Sequence, residues 1–243
     1  MGYNLTYRHF SERSILVEWP SDINENILRD VLGFKNRLEH SNIKDIVQIN
    51  SAYSSLLVIY VSTIDNVYDE IKRLKVEYSS RDCLDRLVFK LWEIPVCYDK
   101  EFGIDLEEIS EEKNCSISQI IQLHSQPIYT VYFVGFLPGF LYLGGLDKGL
   151  HFPRKVSPRL QIKKGAVAIG GAQAGIYPNA SPGGWNIIGN SPLEFFNPNH
   201  DIPCFAKAGD NIKFIPVDRD VYNQILMDVQ NGRYHIKSQD VYD

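Results

Sequence analysis

The chain has 243 residues, 44% of them hydrophobic and 23% charged, an ordinary balance for a globular protein long enough for one large or two modest domains. A formal net charge of −5 provides no basic footprint and argues against a nucleic-acid partner. The first residues lack the apolar stretch of a signal peptide, and no run approaches the roughly 18–20 apolar residues of a bilayer span, so the expectation is a cytoplasmic protein without a membrane partner.

In chain order, Ser14–Trp19 reads as a strand closed by Pro20. Asp22 and Glu25 have the spacing of an N-cap and its third helical residue, and Ile27, Val31, Phe34 and Leu38 follow as one apolar helix stripe. Two β-rich runs come next, 45–50 and 55–61, then a second helix with Val67, Ile71, Leu74 and Tyr78 in the same phase. The run from Arg86 to Ile94 is again strand-like. The order β-α-β-β-α-β is that of a ferredoxin-like domain, or of an open α/β piece that leans on the second half for its sixth element.

From Pro95 the character changes. Asp105 and Glu108 predict the capped start of a short helix with Ile104 and Ile109 as a hydrophobic staple, and Ser116 with Gln119 predicts a capping box for the next. After Pro127 the chain is rich in Gly, Pro and β formers, with turn signals about every 8 to 12 residues, the spacing of a closed or sandwiched β domain. A last amphipathic helix over 221–229 precedes a polar tail expected to fray. The reading is α+β, with an N-terminal domain over 1–92 and a C-terminal β domain over 93–243.

The segments that shape a surface as well as a core are Gly135-Phe136-Leu137-Pro138-Gly139-Phe140 and Ser181-Pro182-Gly183-Gly184-Trp185. Each alternates backbone-special residues with aromatics. Phe136, Pro138, Phe140, Tyr177, Ser181, Gly183, Gly184 and Trp185 are candidates for the walls of an apolar ligand pocket. Arg154 and Arg159 each follow a proline, which holds a guanidinium on stiff extended backbone suited to a carboxylate or phosphate. The run Gly170–Gly175 lacks the Lys-Ser/Thr of a P-loop and the spacing of a dinucleotide fingerprint. Within it, Gln173 is a candidate to present its amide to a ligand. Ser181 has no evident His and acid partners for a nucleophile, and Asp147 and His151 read as loop residues, so no catalytic residue is assigned. Cys83, Cys97, Cys115 and Cys204 and six histidines form no metal motif, and the cysteines are expected as free thiols with no metal site.

Several of these segments resemble the family of the 5-oxoprolinase B-type subunit, also called allophanate hydrolase subunit 1, which includes a Kip-type inhibitor of a sporulation histidine kinase. The matching residues are Ile94-Pro95-Val96-Cys97-Tyr98, Asp105-Leu106-Glu107-Glu108, Leu123-His124-Ser125, Gly135 to Phe140 with Tyr142 to Leu146, Pro153-Arg154, Pro158-Arg159, Ile176-Tyr177-Pro178, and Ser181 to Trp185 with Ile188-Gly189. The chain departs from the family pattern at Ala172 and Ala174, where relatives carry Gly and Thr, and at Asp99-Lys100, which replace a Gly-Gly pair. The resemblance implies a cyclophilin-like barrel for the C-terminal domain. It also implies a role in an ATP-dependent 5-oxoprolinase, in partnership with C-type (homologous barrel) and A-type subunits. Such a hydrolase is inactive as this chain alone, with ATP bound in the complex or by a partner. An unstrained lactam is a poor electrophile; phosphorylating its carbonyl oxygen couples ring opening, from 5-oxo-L-proline to L-glutamate, to ATP. The alternative is inhibition of a sensor histidine kinase through an aromatic patch around Phe136 to Tyr142. Prolyl isomerase activity would rest on fold analogy alone.

Overall fold

The structure, a computed structural model, describes residues 2–41, 43, 45–80 and 88–242. The chain divides into two compact units, Met1–Val88 with Tyr242–Asp243, and Phe89–Val241.

The first unit runs β1 (Thr6–Ser11), β2 (Ser14–Glu18), α1 (Glu25–His40), β3 (Ile46–Ala52), β4 (Ser55–Tyr60) and α2 (Val67–Ser79). Its strands form an antiparallel sheet in the order β1-β2-β4-β3. Alternation decides which face is buried: Ile15 and Val17 of β2 and Leu56 and Val58 of β4 point to one side. There they meet the expected stripe of α1, Ile27, Val31, Phe34 and Leu38, and Leu74 of α2. The cap of α1 is Asn24 rather than Asp22, because the Asn24 side chain accepts from the Asn26 N–H while the Asp22 N–H is turned back onto Pro20.

The β-α-β-β-α-β order is corrected at its last strand. The run expected at 86–94 is β5 (Val88–Cys97), which pairs within the second unit; Arg86 and Leu87 lie outside the described residues. The place beside β2 is taken by β1, joined to it through a tight turn at Glu12-Arg13. That strand is exposed along nearly all its length and so carries no apolar alternation to betray it. By contrast Ile94 to Cys97 of β5 are buried without alternation, as a strand covered on both faces requires.

The second unit continues with α3 (Leu106–Lys113), α4 (Ile117–Ser125), β6 (Tyr129–Val134), β7 (Leu141–Gly144), β8 (Arg159–Ile162), β9 (Ala166–Gly170), β10 (Gln173–Ile176), β11 (Ser181–Gly183), β12 (Asn186–Asn190), β13 (Asn211–Val217), α5 (Arg219–Gln230) and β14 (Ser238–Tyr242). Seven strands in the order β12-β9-β10-β7-β6-β13-β5 close into a barrel through the pairing of Asn190 with Cys97. β5 and β13 run parallel in the otherwise antiparallel barrel. The tail expected to fray instead forms β14, which flanks β5 and so satisfies its outer edge; the Glu93 N–H also bonds the Lys237 carbonyl. β8 and β11 make a separate two-stranded ribbon.

The Ser116–Gln119 capping box opens α4 as expected, and this helix carries His124 into the core. His124 is fully buried, stacks on Phe214 at 4.4 Å and shares a 2.8 Å hydrogen bond through Nδ1 with the Tyr98 hydroxyl. Burial drives its pKa down to about 3, so the folded ring stays neutral. The unfolded ring takes up a proton below about pH 6.5. Stability is therefore whole above that pH and is lost as pH falls from about 6.5 towards 3. Between pH 7 and pH 5 this one group is expected to cost about 2 kcal/mol. Denaturation of the wild type and of His124→Gln at both pH values checks it: the variant should lose that component of the pH dependence.

Cys97 is buried and Cys115 and Cys204 are half-buried, all three free; Cys83 lies outside the described residues. Among the described residues no cluster of His, Cys, Asp and Glu is arranged to hold a metal ion, and no helix is long and apolar enough to cross a membrane.

Candidate functional site

The two aromatic segments meet. β6 ends at Val134, the chain turns through Gly135–Gly139, and the Gly135 N–H bonds the Phe140 carbonyl as β7 begins. Phe140 and Tyr142, two residues apart, face the same way. Phe140 sets its ring edge-on to Tyr177 at 5.0 Å and to Trp185 at 5.7 Å, and Tyr142 lies 5.8 Å from Trp185. The glycines of β9 and β10 are explained by these rings. A Cβ on Gly170 would stand 2.8 Å from the Trp185 indole, and one on Gly175 2.9 Å from the Phe140 ring. Strand backbone approaches the aromatics closely only where it carries no side chain.

At the mouth, Phe136 is 63% exposed and holds φ +72°, a conformation costly for a bulky residue. Glycine tolerates this backbone and a β-branched residue does not. Phe136→Gly is expected to change stability by no more than about 1 kcal/mol, and Phe136→Val to lose about 1–3 kcal/mol, as measured by urea denaturation.

Phe136, Phe140, Tyr142, Tyr177 and Trp185 line a cleft of about 410 Å³ whose opposite wall is Arg154, Lys155, Pro158 and the Pro182–Gly184 turn. The arginine wall is pinned at three points. Phe152 and Gly171 exchange backbone hydrogen bonds, the buried Asn186 amide donates to the Pro153 carbonyl at 2.8 Å, and the Lys155 N–H donates to the Gly184 carbonyl at 2.7 Å. Arg154 is thereby held with its guanidinium 5.1 Å from the centre of the Trp185 ring, in cation–π contact. Among the described residues it has no carboxylate partner.

Lys155 and Arg159 are different. Both converge on Asp105, a carboxylate only 2% exposed: Arg159 Nη2 donates at 2.5 Å and Lys155 Nζ lies at 3.2 Å, both on Oδ1. The other oxygen accepts the Ile187 N–H at 2.6 Å, while the Asp105 N–H donates to the Ile187 carbonyl. Lys155 also pairs with Glu108. Burial opposes the Lys155 ammonium, but the bond to Glu108 and the charge of Asp105 outweigh it and hold its pKa above the ordinary value. Tyr177 is pushed up to about 12 and Tyr142 upward, in each case chiefly by burial, so both phenols are neutral near pH 7.

Asp105 occupies the N-cap position of α3 but makes no capping bond, and Ile104 is more than half exposed, so the expected cap and staple are not formed. The carboxylate is used on the two cations and on β12 instead. Of the expected pocket residues, Phe136, Phe140, Arg154, Tyr177, Gly183, Gly184 and Trp185 line the cleft. Arg159 does not, being turned to Asp105. Pro138 is exposed at its turn, Ser181 donates to the Pro182 carbonyl, and Gln173 sits half-buried at the β9–β10 hairpin; none of the three lines the cleft. Asp147 caps a 3-10 turn and His151 bonds the Leu146 carbonyl, both loop roles. The Gly170–Gly175 run is a hairpin with no helix after it, and Ala174, one of the departures from the family pattern, lies in the barrel core. The aromatic patch expected to face a kinase contracts to Phe136, since Phe140 and Leu141 are buried.

Tyr142, Lys155, Pro158 and Asp105 were not foreseen as site residues. Tyr142 was within reach of strand alternation from Phe140. Asp105 was not, because its partners lie some 50 and 82 residues away in sequence.

Comparison with known proteins agrees with this architecture. Residues 5–206 match the model for the carboxyltransferase domain, subdomain C and D. The chain is 35% identical over 227 residues to the B-type subunit of 5-oxoprolinase from Bacillus subtilis strain 168, covering 87% of this chain and 92% of that protein. It is 38% identical over 207 residues to the protein of the same name in Haemophilus influenzae, covering 84% and 94%. Among solved structures, TTHA0988 superimposes with a TM-score of 0.73 at 30% identity over 85% of this chain; the chain spans about 40% of that longer protein. The chain therefore belongs to the carboxyltransferase-domain family of subdomains C and D, in the group of 5-oxoprolinase B-type subunits.

Proposed function

We propose that this chain is the B-type subunit of an ATP-dependent 5-oxoprolinase, working in the cytoplasm with partner subunits of the C and A types to open 5-oxo-L-proline to L-glutamate. The observation that carries the reading is similarity along nearly the whole length of proteins named as B-type subunits of 5-oxoprolinase, rather than to an isolated motif within them. A cleft with aromatic walls and a positioned guanidinium supports it, since the substrate is a small ring bearing a carboxylate. A need for partners is supported by TTHA0988, in which the matched region is joined to further polypeptide, and by Val156 and Leu160, apolar side chains almost fully exposed on the segment that forms the arginine wall.

In this reading the barrel is of the cyclophilin-like type. The four-stranded sheet of the first unit is a ferredoxin-like sheet in which β1 takes the edge place of the last strand. The residues of the chain bind and orient: Arg154 holds the carboxylate, and the aromatic walls exclude water from one face of the ring. ATP supplies the activation of the lactam carbonyl. The test is purification of the chain with its cognate partner subunits and assay of ATP-dependent glutamate release from 5-oxoproline. An inactive assembly, with every subunit shown to be folded, would sink the proposal.

A further inference from the structure

We infer that the cleft selects a single small monocarboxylate and does not take the phosphates of ATP, which bind outside it. This rests on the functional reading above and deepens it.

Charge compensation separates the cations around the cleft. Three cations stand on or beside the arginine wall. Lys155 is matched by Asp105 and Glu108, and Arg159 by Asp105, with Lys155 and Asp105 both largely removed from solvent. Their charge is compensated inside the protein before any ligand arrives. Arg154 alone is uncompensated among the described residues. One guanidinium matches one carboxylate in the two-pronged geometry both groups favour. A triphosphate carries several charges and is normally met by a glycine-rich nest of N–H groups, a lysine and a metal ion. Gly170 and Gly175 lie against aromatic rings rather than open to a ligand, and of the glycines that line the cleft Gly183 packs against Tyr177 and Gly184 turns its carbonyl to the Lys155 N–H.

The remaining walls agree. Tyr142 and the exposed Phe136 offer the accessible aromatic surface of the cleft, backed by Phe140 and Trp185, of which only 1% and 5% reach solvent. The phenols beside them are uncharged at neutral pH and do not repel an anion. A ring small enough to lie against Phe136 and Tyr142, with one carboxylate reaching Arg154, satisfies the site; a hydrated polyanion leaves the aromatic walls without a partner.

The test uses the assembled complex and the full chain. In the complex, Arg154→Gln should raise KM for 5-oxoproline at least tenfold and leave KM for ATP within twofold. In titrations of the full chain, 5-oxoproline and cyclopentanecarboxylate should compete for one site. 2-Pyrrolidinone (the same ring without the carboxylate), inorganic phosphate and ATP should bind at least tenfold more weakly, and R154Q should abolish the preference for the carboxylates. A rise in KM for ATP with no rise for 5-oxoproline would overturn the inference, as would ATP or phosphate outcompeting the carboxylates, or a chain that binds neither carboxylate. Inactivity of the wild-type complex would instead count against the functional reading, and the titrations would still decide the ligand class.

Discussion

Asp105→Asn is expected to cost about 3 kcal/mol or more of stability. Removing one member of a buried ion pair leaves its partners uncompensated and typically costs about 3–5 kcal/mol. The low end applies, because Lys155 and Arg159 keep 18% and 31% of their side-chain exposure. The asparagine still offers an oxygen to the Ile187 N–H, but its amide now faces two cations that the carboxylate had neutralised. Adding Arg159→Met should recover part of the loss by removing one uncompensated charge. Denaturation midpoints of wild type, single and double variants check the claim; a D105N protein within 1 kcal/mol of wild type would contradict it.

Arg154→Met should lower kcat/KM for 5-oxoproline in the assembled enzyme on the order of 10²-fold, equivalent to about 2.7 kcal/mol of lost binding in the transition state. Its effect on stability should be small, since Arg154 is exposed and has no ion partner among the described residues. The conservative Arg154→Lys should restore only part of the activity, because an ammonium neither forks around a carboxylate nor stacks on Trp185 in the same way. Unchanged kinetics in R154M would remove the guanidinium from the substrate site.

The contrast between these arginines shows what the sequence makes legible. Both follow a proline, and local chemistry gives them the same promise. Only the fold separates them: Asn186 and Gly184 pin the backbone on either side of Arg154 at the cleft, while Arg159 begins β8 and meets a carboxylate from the start of α3. Periodicity and turn chemistry sufficed for the helix stripe of α1, for the capping box at Ser116 and for the aromatic turns, since these are written within a few neighbouring residues. β1 escaped notice because its side chains are exposed, and β14 because its pairing partner is β5, nearly 150 residues earlier. Asp105 carried a local signal for a helix cap and a non-local role as an ion-pair centre, and the non-local interactions won.

The central claim is that this chain contributes the carboxylate site of a 5-oxoprolinase, and a crystal structure of the assembled enzyme with 5-oxoproline bound tests it most directly. The ligand carboxylate is expected at about 3 Å from the Arg154 guanidinium, with its ring in the cleft lined by Phe136 and Tyr142. A ligand bound wholly by the partner subunits, with this cleft empty or filled by ATP, would contradict it.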